Sequence, residues 1–141
     1  MKLVVGNQRW QRAASCYIRL QVFVLEQKIP LEEEFDAHDL DETIYAVLYD
    51  ENKPAATGRF LQEGTTARLT RIATLPEYRK QHLGSQIIEA LEVYALSQGL
   101  KKASIHADLT ALPFYQKLGY VPYGEVYLED GVPCQSLEKE F

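Results

Sequence analysis

The sequence lacks the features that mark a membrane-bound, disulfide-stabilised or nucleic-acid-coating protein. It holds only two cysteines, Cys16 and Cys134, and neither has CxxC spacing, so we expect free thiols in a reducing cytoplasm. No apolar run reaches about eighteen residues, which predicts no membrane-spanning helix, and the apolar stretch at the start is too short for a signal peptide. Twenty acidic residues against fifteen basic ones argue against nucleic-acid or membrane partners, because such binding depends on basic surface.

What is present is the composition of a globular domain. Of the 141 residues, 46% are hydrophobic and 25% are charged. A chain of this length buries roughly two-thirds of its unfolded surface and needs no metal or disulfide to fold. We therefore expect a single domain over residues 1–141. His38, Asp39 and His106 do not have the spacing of a metal site, so no metal is predicted.

The hydrophobic pattern predicts an α/β chain. Apolar residues recur at helical spacing over residues 10–27, although the run at 22–25 fits helix and extended chain equally well. Further helices are predicted from Leu83 or Gly84 to Gly99 and over 111–118. Strands are predicted over residues 43–49, 55–62, 66–75, 102–108, 120–128 and 133–138.

The order of these elements predicts a mixed sheet with helices on both faces. Short turns connect the first three strands, which favours an antiparallel meander. The third strand, the long helix and the fourth strand form a crossover unit, as parallel strands require. Alternation along the third strand predicts Leu69, Arg71 and Ala73 on one side. The acidic stretch at 29–42 is interpreted as a surface loop or a broken helix.

The turn before the long helix is the strongest candidate for a binding site. A helix that begins near Leu83 leaves unpaired N–H groups and the positive end of its dipole at this turn. Arg79 and Lys80 add two cations, and Gly84 permits close approach of a ligand. Together these features predict a pyrophosphate site, although basic residues also precede helices on solvated loops.

Two motifs in this region resemble a known family. The stretch RIATLPEYRKQHLGSQIIEAL at 71–91 resembles the acetyl-CoA-binding motif of the GNAT N-acetyltransferase superfamily, in which Arg/Gln-x-x-Gly-x-Gly/Ala precedes a helix. His82 takes the place of the first glycine. The stretch DLTALPFYQKLGY at 108–120 resembles the family pattern Asn-x-x-Ala-x-x-Phe-Tyr-x-Lys-x-Gly-Phe/Tyr, with Asp108 in place of Asn. RLQVFVLEQ and EDGVP resemble the ElaA/YjcF-like branch, where a histidine usually replaces Cys134.

The resemblance implies a fold, a function and a set of cofactor-binding residues. The implied fold is a mixed, mostly antiparallel sheet of six to seven strands, flanked by helices and splayed at the acetyl-CoA site. The implied function is direct acetyl transfer from acetyl-CoA to a small or peptidyl primary amine, without a metal. Dimers are frequent among relatives, which makes a homodimer possible. The implied cofactor-binding residues are Ile72, Ala73, Thr74, Arg79, Lys80, Gln81, His82, Leu83, Gly84, Ser85, Asp108, Phe114 and Lys117.

The reaction needs a proton donor for the leaving thiolate and a base for the amine. The motif implies Tyr115 as the donor, and a phenol pKa of about 10 lies close to a thiol pKa of about 8.5. A core aromatic beside Phe114 is the competing interpretation of Tyr115. For the base the leading candidate is Glu26, which precedes the acidic stretch. The alternatives are Glu34, Asp36 and His38.

The sequence is also consistent with other interpretations. The acidic stretch is also consistent with a solvated face; if it lines the cleft, it favours a cationic acceptor. His82 and Asp108 depart from the family pattern and leave room for a non-catalytic acyl-CoA-binding module. An acyl-CoA hydrolase is a third possibility. Cys134 is expected near the acceptor pocket as a packing residue, because direct transfer needs no thiol nucleophile.

Overall fold

A single seven-stranded sheet forms the centre of the computed structural model, which describes residues 1–141. The strand order is β1-β2-β3-β4-β5-β7-β6, and every neighbouring pair is antiparallel except β4 and β5. The strands are β1 (Lys2–Gly6), β2 (Ile44–Asp50), β3 (Lys53–Glu63), β4 (Thr66–Thr74), β5 (Lys102–Asp108), β6 (Val121–Glu129) and β7 (Val132–Glu140).

Helices on both faces of this sheet confirm the predicted α/β class. They are α1 (Arg9–Arg19), continued by a π-helical segment (Leu20–Glu26), then α2 (Leu31–Glu34), α3 (Leu83–Ser97) and α4 (Leu112–Lys117). The π-helical segment contains the apolar run whose structure the sequence left undecided. Helix α3 connects the two parallel strands, which confirms the crossover. It begins at Leu83, and Gly99 follows it with a φ of +80°, a value that favours glycine.

The first strand was not predicted from the sequence. Strand β1 pairs antiparallel with β2, from Lys2 opposite Tyr49 to Gly6 opposite Tyr45. Its five residues carry no turn signal on their N-terminal side, and so short a run is not assigned by periodicity alone. The strand forms because β2 offers an unpaired edge, which is a tertiary cause.

The hydrophobic core lies in two layers, one on each face of the sheet. The larger layer packs the apolar stripe of α3, including Ile87, Ile88 and Leu91, against the sheet. The smaller layer packs Ile18 of α1 and Val22 of the π-helical segment against the opposite face. The end of α1 and the start of α3 are thereby held beside the same part of β4.

A bulge in β4 overturns the predicted alternation of that strand. Pairing with β3 shifts between Thr57 and Arg59, and Arg71 adopts a φ of +56°. The bulge puts two residues of β4 opposite one of β3 and so reverses the side on which later residues lie. Leu69 therefore belongs to the core layer beneath α3, whereas Ala73 belongs to the layer beneath α1. The prediction that they share a side was wrong.

The acidic stretch is also not a plain surface loop, because part of it is buried in an ion-pair cluster. Glu34 is 3% exposed, and its Oε2 lies 2.9 Å from Nε of Arg19 and 2.9 Å from Nε of Arg71. Paired charges tolerate burial that a single charge does not. The cluster ties the chain after α2 to α1, β3 and β4. Its members, which we call the arginine–carboxylate cluster, are Arg19, Arg59, Arg71, Glu34, Asp36 and Asp39.

Strands β4 and β5 separate after a short parallel contact. Only Ala67 opposite Ala103 and Arg68 opposite Ser104 are paired. Beyond them the two strands diverge toward the N-terminus of α3 and toward α4. The resulting gap in the sheet is the splay that the family resemblance implied, and it positions the candidate site.

Candidate active site

The largest cavity of the molecule is a cleft of about 720 Å³ at the start of α3. It brings together residues from the π-helical segment, β4, the turn before α3, and α4. Eleven of the predicted site residues line it, along with six others that the sequence did not predict. The lining residues are Val22, Phe23, Glu26, Gln27, Ile72, Ala73, Thr74, Tyr78, Arg79, Lys80, His82, Leu83, Gly84, Thr110, Ala111, Phe114 and Tyr115.

The turn before α3 has the backbone shape of an anion-binding loop. Lys80 and His82 both have positive φ, at +64° and +60°, and no side chain caps the start of α3. Successive N–H groups in such a turn can converge on an anion together with the helix dipole. The left-handed conformation of His82 explains why the family pattern has glycine there. At Gly84, a Cβ would lie 3.2 Å from the Phe114 ring.

An ion pair lies across the mouth of the cleft. Arg79 donates from Nη1 and Nη2 to the Glu26 carboxylate, at 2.8 and 2.7 Å, and from Nε to the carbonyl of Thr74 at 3.0 Å. The hydrogen bonds from Arg79 lower the pKa of Glu26 below its ordinary value. The residue predicted as the base is thus bound to the residue predicted to hold pyrophosphate.

Tyr115 lies at the inner end of the cleft. It is 8% exposed, and its ring meets that of Phe114 edge-on at 5.0 Å between centroids. Burial, aided by the charge of Asp108, raises the pKa of Tyr115 to about 12. The phenol therefore stays protonated at neutral pH and can only donate its proton there. It also contributes to the core, as the competing interpretation predicted, whereas its role as proton donor stays a prediction.

A second cavity continues through the splay. It has a volume of about 280 Å³, and both cavities are lined by Phe23, Gln27, Ile72, Ala111 and Tyr115. Its far side is formed by Thr70 and Arg71 of β4, by His106 of β5, and by Glu34. We call it the gap cavity. Two ligands that enter from opposite sides would meet beside Tyr115.

A third cavity of about 590 Å³ opens from the gap cavity to solvent. Gln27, Ile29 and Asp108 line both of them. Its rim is acidic, since four carboxylates and one lysine line it. These charged residues are Glu33, Asp108, Glu129, Asp130 and Lys28.

Cys134 lies in this outer cavity as a buried free thiol. Burial and the charges of Glu129 and Asp108 raise the pKa of Cys134 above its ordinary value. Cys16 is likewise unpaired. A thiol kept protonated is a poor nucleophile, and the position of Cys134 near an acceptor pocket stays a prediction.

The alternative bases differ in position. Glu34 lines the gap cavity, but Arg19 and Arg71 occupy its carboxylate. Asp36 pairs with Arg59 and Arg71. His38 lies in an exposed turn and lines none of these cavities.

Four predicted cofactor residues lie outside the cleft lining. Gln81 lies in the turn before α3 and Ser85 at the start of that helix. The role predicted for both belongs to their backbone N–H groups and not to their side chains. Asp108 accepts a hydrogen bond from the N–H of Ala111 and one from the Thr110 hydroxyl, so it caps the turn before α4. Lys117 lies in the last turn of α4 and is exposed.

Three of the six cleft residues missed from the sequence come from a distant segment, and a fourth, Tyr78, lies inside the first motif. Val22, Phe23 and Gln27 reach the cleft because the π-helical segment carries the chain from α1 to its rim. Nothing local in the sequence marks them, since their apolar run is equally typical of a buried helix. Thr110 and Ala111 lie inside the second motif. The extent of that motif was therefore the sequence signal that could have identified them as cleft residues.

Comparison with known proteins assigns the family. Residues 9–120 match the model of the Acetyltransferase (GNAT) family. An uncharacterized acetyltransferase of Streptococcus pyogenes is 49% identical over 110 residues, which are 77% of this chain and 75% of that protein. The chain belongs to the GNAT acetyltransferase family, which confirms the resemblance seen in its motifs.

Solved structures agree with this assignment. A candidate N-acetyltransferase of Lactobacillus plantarum has a TM-score of 0.95 and 35% identity, with 99% of this chain and 97% of that one covered. Escherichia coli ElaA has a TM-score of 0.88 at 23% identity, with 99% of each chain covered, and shares the fold. None of the helices combines the length and apolar character needed to span a membrane.

Proposed function

We propose that this acetyltransferase uses acetyl-CoA and transfers the acetyl group directly to a primary amine. The observation that carries the proposal is the continuity of the cavities through the splayed sheet. Tyr115 lines both the cofactor cleft and the gap cavity, and the acidic outer cavity joins the gap cavity at Gln27, Ile29 and Asp108. Direct transfer requires that two substrates meet in this way without a covalent enzyme intermediate.

The first cleft has the chemistry that coenzyme A requires. A pyrophosphate would be held by the backbone N–H groups of the turn at 79–85 and by the helix dipole of α3. Arg79 and Lys80 supply charge, and the backbone of Ile72–Thr74, freed by the splay, would align the thioester. Apolar Phe23 lies farther inside.

Tyr115 is suited to protonate the leaving sulfur. Its phenol is buried at the junction of both cavities and makes no hydrogen bond within the protein. Because its pKa is about 12, the hydroxyl is present as a donor at every physiological pH. The sulfur gains charge as the C–S bond breaks, and a hydrogen bond from Tyr115 would stabilise that charge before the proton moves.

The acceptor is proposed to be a cationic amine of a small molecule or peptide. Its entrance is the outer cavity, whose four carboxylates outnumber its single lysine. An acidic opening attracts cations and repels anions. Two unpaired cysteines support a reducing, cytoplasmic location for the protein. Homodimer formation stays a prediction.

A thiol-release assay tests the proposal. The protein is incubated with acetyl-CoA and, separately, spermidine, Nα-acetyl-lysine amide, kanamycin and glycylglycine, while free thiol and acetylated amine are measured. Thiol released only with an amine, in equal amount to the acetylated product, supports transfer. Tight coenzyme binding without turnover would identify a non-catalytic binding module, and thiol released without amine would identify a hydrolase.

A pair of variants tests the cofactor site by calorimetric titration with coenzyme A. Arg79→Ala removes a cation from the proposed pyrophosphate site and is expected to weaken binding roughly 10- to 100-fold, the value of a charge-assisted hydrogen bond. Arg12→Ala is the matched control, because Arg12 pairs with exposed Asp41 away from the cleft. Equal affinities of the two variants would contradict this placement.

A further inference from the structure

Apart from Tyr115, the gap cavity has one titratable side chain that forms no hydrogen bond or ion pair within the protein, His106. It lines this cavity together with Tyr115. On β5, Ile105 and Ala107 are buried in the core layer beneath α3, so strand alternation directs His106 to the opposite face. An amine that enters from the outer cavity would reach the gap on the His106 side, across from Tyr115.

The carboxylates near the gap are already engaged. Glu34 is held by two arginines of the arginine–carboxylate cluster, and Asp36 by two as well. Asp108 caps the turn before α4, and Glu26 lies in the cofactor cleft paired with Arg79. The His106 ring, in contrast, makes no hydrogen bond to the protein, so a ring nitrogen is available to an incoming amine.

The surroundings of His106, whose side chain remains exposed to solvent, favour its neutral imidazole. Its ring packs edge-on against Tyr127, with 6.3 Å between the centroids. Burial and the charge of Arg68 lower the pKa of His106 below its ordinary 6.5, while Glu129 and Glu63 oppose this shift. A neutral imidazole is the form that accepts a proton, and at pH 7 it predominates.

We propose that His106 is the general base, which accepts the proton that the amine loses as its nitrogen bonds to the acetyl carbon. This inference rests on the proposed acetyl transfer. The ammonium group of the acceptor first loses a proton to solvent. The resulting neutral amine forms the N–C bond, and its nitrogen becomes positively charged and acidic. The proton then moves from that nitrogen to His106 while the C–S bond breaks and the sulfur receives a proton from Tyr115. Solvent exchange through the outer cavity restores both side chains.

The test compares His106→Gln with His38→Gln, using the best amine of the panel above. His38 lines neither the cleft nor the gap, which makes its variant a matched histidine control. We expect His106→Gln to lower kcat/KM about 100- to 1000-fold, a usual contribution of general-base catalysis. Its affinity for coenzyme A should match that of the unaltered protein, which also shows that the variant is folded.

The pH profile separates a base from a structural residue. In the unaltered protein, kcat/KM should fall with an additional proton dependence on the acid side of the ordinary imidazole pKa, where His106, whose pKa is lowered, becomes protonated. The pH profile of His106→Gln should lack this decline at low pH. In a second variant, His106→Ala, added imidazole should restore part of the rate. An unaltered rate and profile in His106→Gln would overturn the inference and leave acetyl transfer intact. Absence of transfer to any amine by the unaltered protein would instead overturn the proposed function itself.

Discussion

At the scale of single residues, the cleft at the start of α3 contains an ion pair that the proposed pyrophosphate would have to break. Glu26 and Arg79 are each about two-fifths exposed and form a bidentate pair at 2.7 and 2.8 Å. An incoming pyrophosphate would also bind Arg79. In the free protein, the Glu26 carboxylate therefore occupies the position of the pyrophosphate. This arrangement also places Glu26 on the cofactor side of Tyr115 rather than in the gap.

Glu26→Gln should therefore bind coenzyme A more tightly. Because an exposed ion pair contributes little, we expect a gain in affinity of roughly 1.4- to fivefold. Calorimetric titration measures it, and Glu77→Gln is the control, because Glu77 is near Arg79 without bonding to it. Unaltered affinity together with a large loss of kcat would instead restore Glu26 as the base.

Tyr115→Phe should reduce kcat about 100-fold and leave coenzyme affinity unaltered, since the hydroxyl acts only when the sulfur leaves. Because the pKa of Tyr115 is about 12, the unaltered protein should show no decline in kcat from this group below about pH 10. Steady-state kinetics with Tyr123→Phe as an exposed control checks both points. A kcat equal to that of the control would mean that Tyr115 is a core residue and not the proton donor.

At the scale of elements, the bulge in β4 and the glycine opposite it determine how closely α3 packs on the sheet. A Cβ at Gly58 would lie 2.6 Å from Ile87 Cγ2 and 2.9 Å from Leu91 Cδ1, both on α3, and 2.8 Å from Ile72 Cδ1. Glycine is thus required by a close approach rather than by its φ. The start of α3 depends on this contact for its position beside β4.

Gly58→Ala should lower the free energy of unfolding by about 1–3 kcal/mol, the usual cost of overpacking a core. Thermal denaturation measures the loss. Gly6→Ala is the matched control in β1, because nothing lies within 4 Å of a Cβ there and its φ is negative. Equal melting temperatures of the two variants would show that α3 is not packed against β3 as described.

At the scale of the whole molecule, the arginine–carboxylate cluster connects α1, the acidic stretch, β3 and β4. Burial raises the pKa of Asp39, but hydrogen bonds from Arg19 and Tyr45 outweigh it and hold that pKa far below its ordinary value. The pKa of Asp36 is lowered in the same way by Arg59, against the effect of burial. Both groups therefore link stability to pH.

The direction of that linkage follows from the lowered values. Because the pKa of each carboxyl is lower in the folded protein, the unfolded chain takes up protons first as the pH falls. The stability that Asp36 and Asp39 contribute is therefore fully present above about pH 4 and is lost as the pH falls further. Asp39→Asn should cost about 3 kcal/mol at pH 7 and flatten the acid limb of the unfolding free energy, as urea titrations at several pH values would show. Asp41→Asn, whose carboxylate is 94% exposed, should do neither. An equal acid limb in both variants would contradict the cluster's role.

Predictability from the sequence differed between local and long-range features. Strand β5 was predicted at its observed bounds and α3 at its observed start, because alternation, helical spacing and a terminal glycine are local signals. The burial of Glu34 and the reversal at Arg71 were missed. The burial of Glu34 depends on arginines that are distant in the sequence, and the reversal depends on a bulge in the pairing with β3. No local pattern in the sequence encodes either.

By itself, then, the sequence determined the α/β order of elements apart from β1, the position of the turn before α3, and, through two motifs, the family. These features depend on neighbouring residues, whose spacing is visible in one dimension. Only the tertiary structure decided that Glu26 pairs with Arg79, that the acidic stretch is held by arginines, and that His106 shares a cavity with Tyr115. Such contacts arise when the splay of β4 and β5 brings together segments that are far apart in the chain.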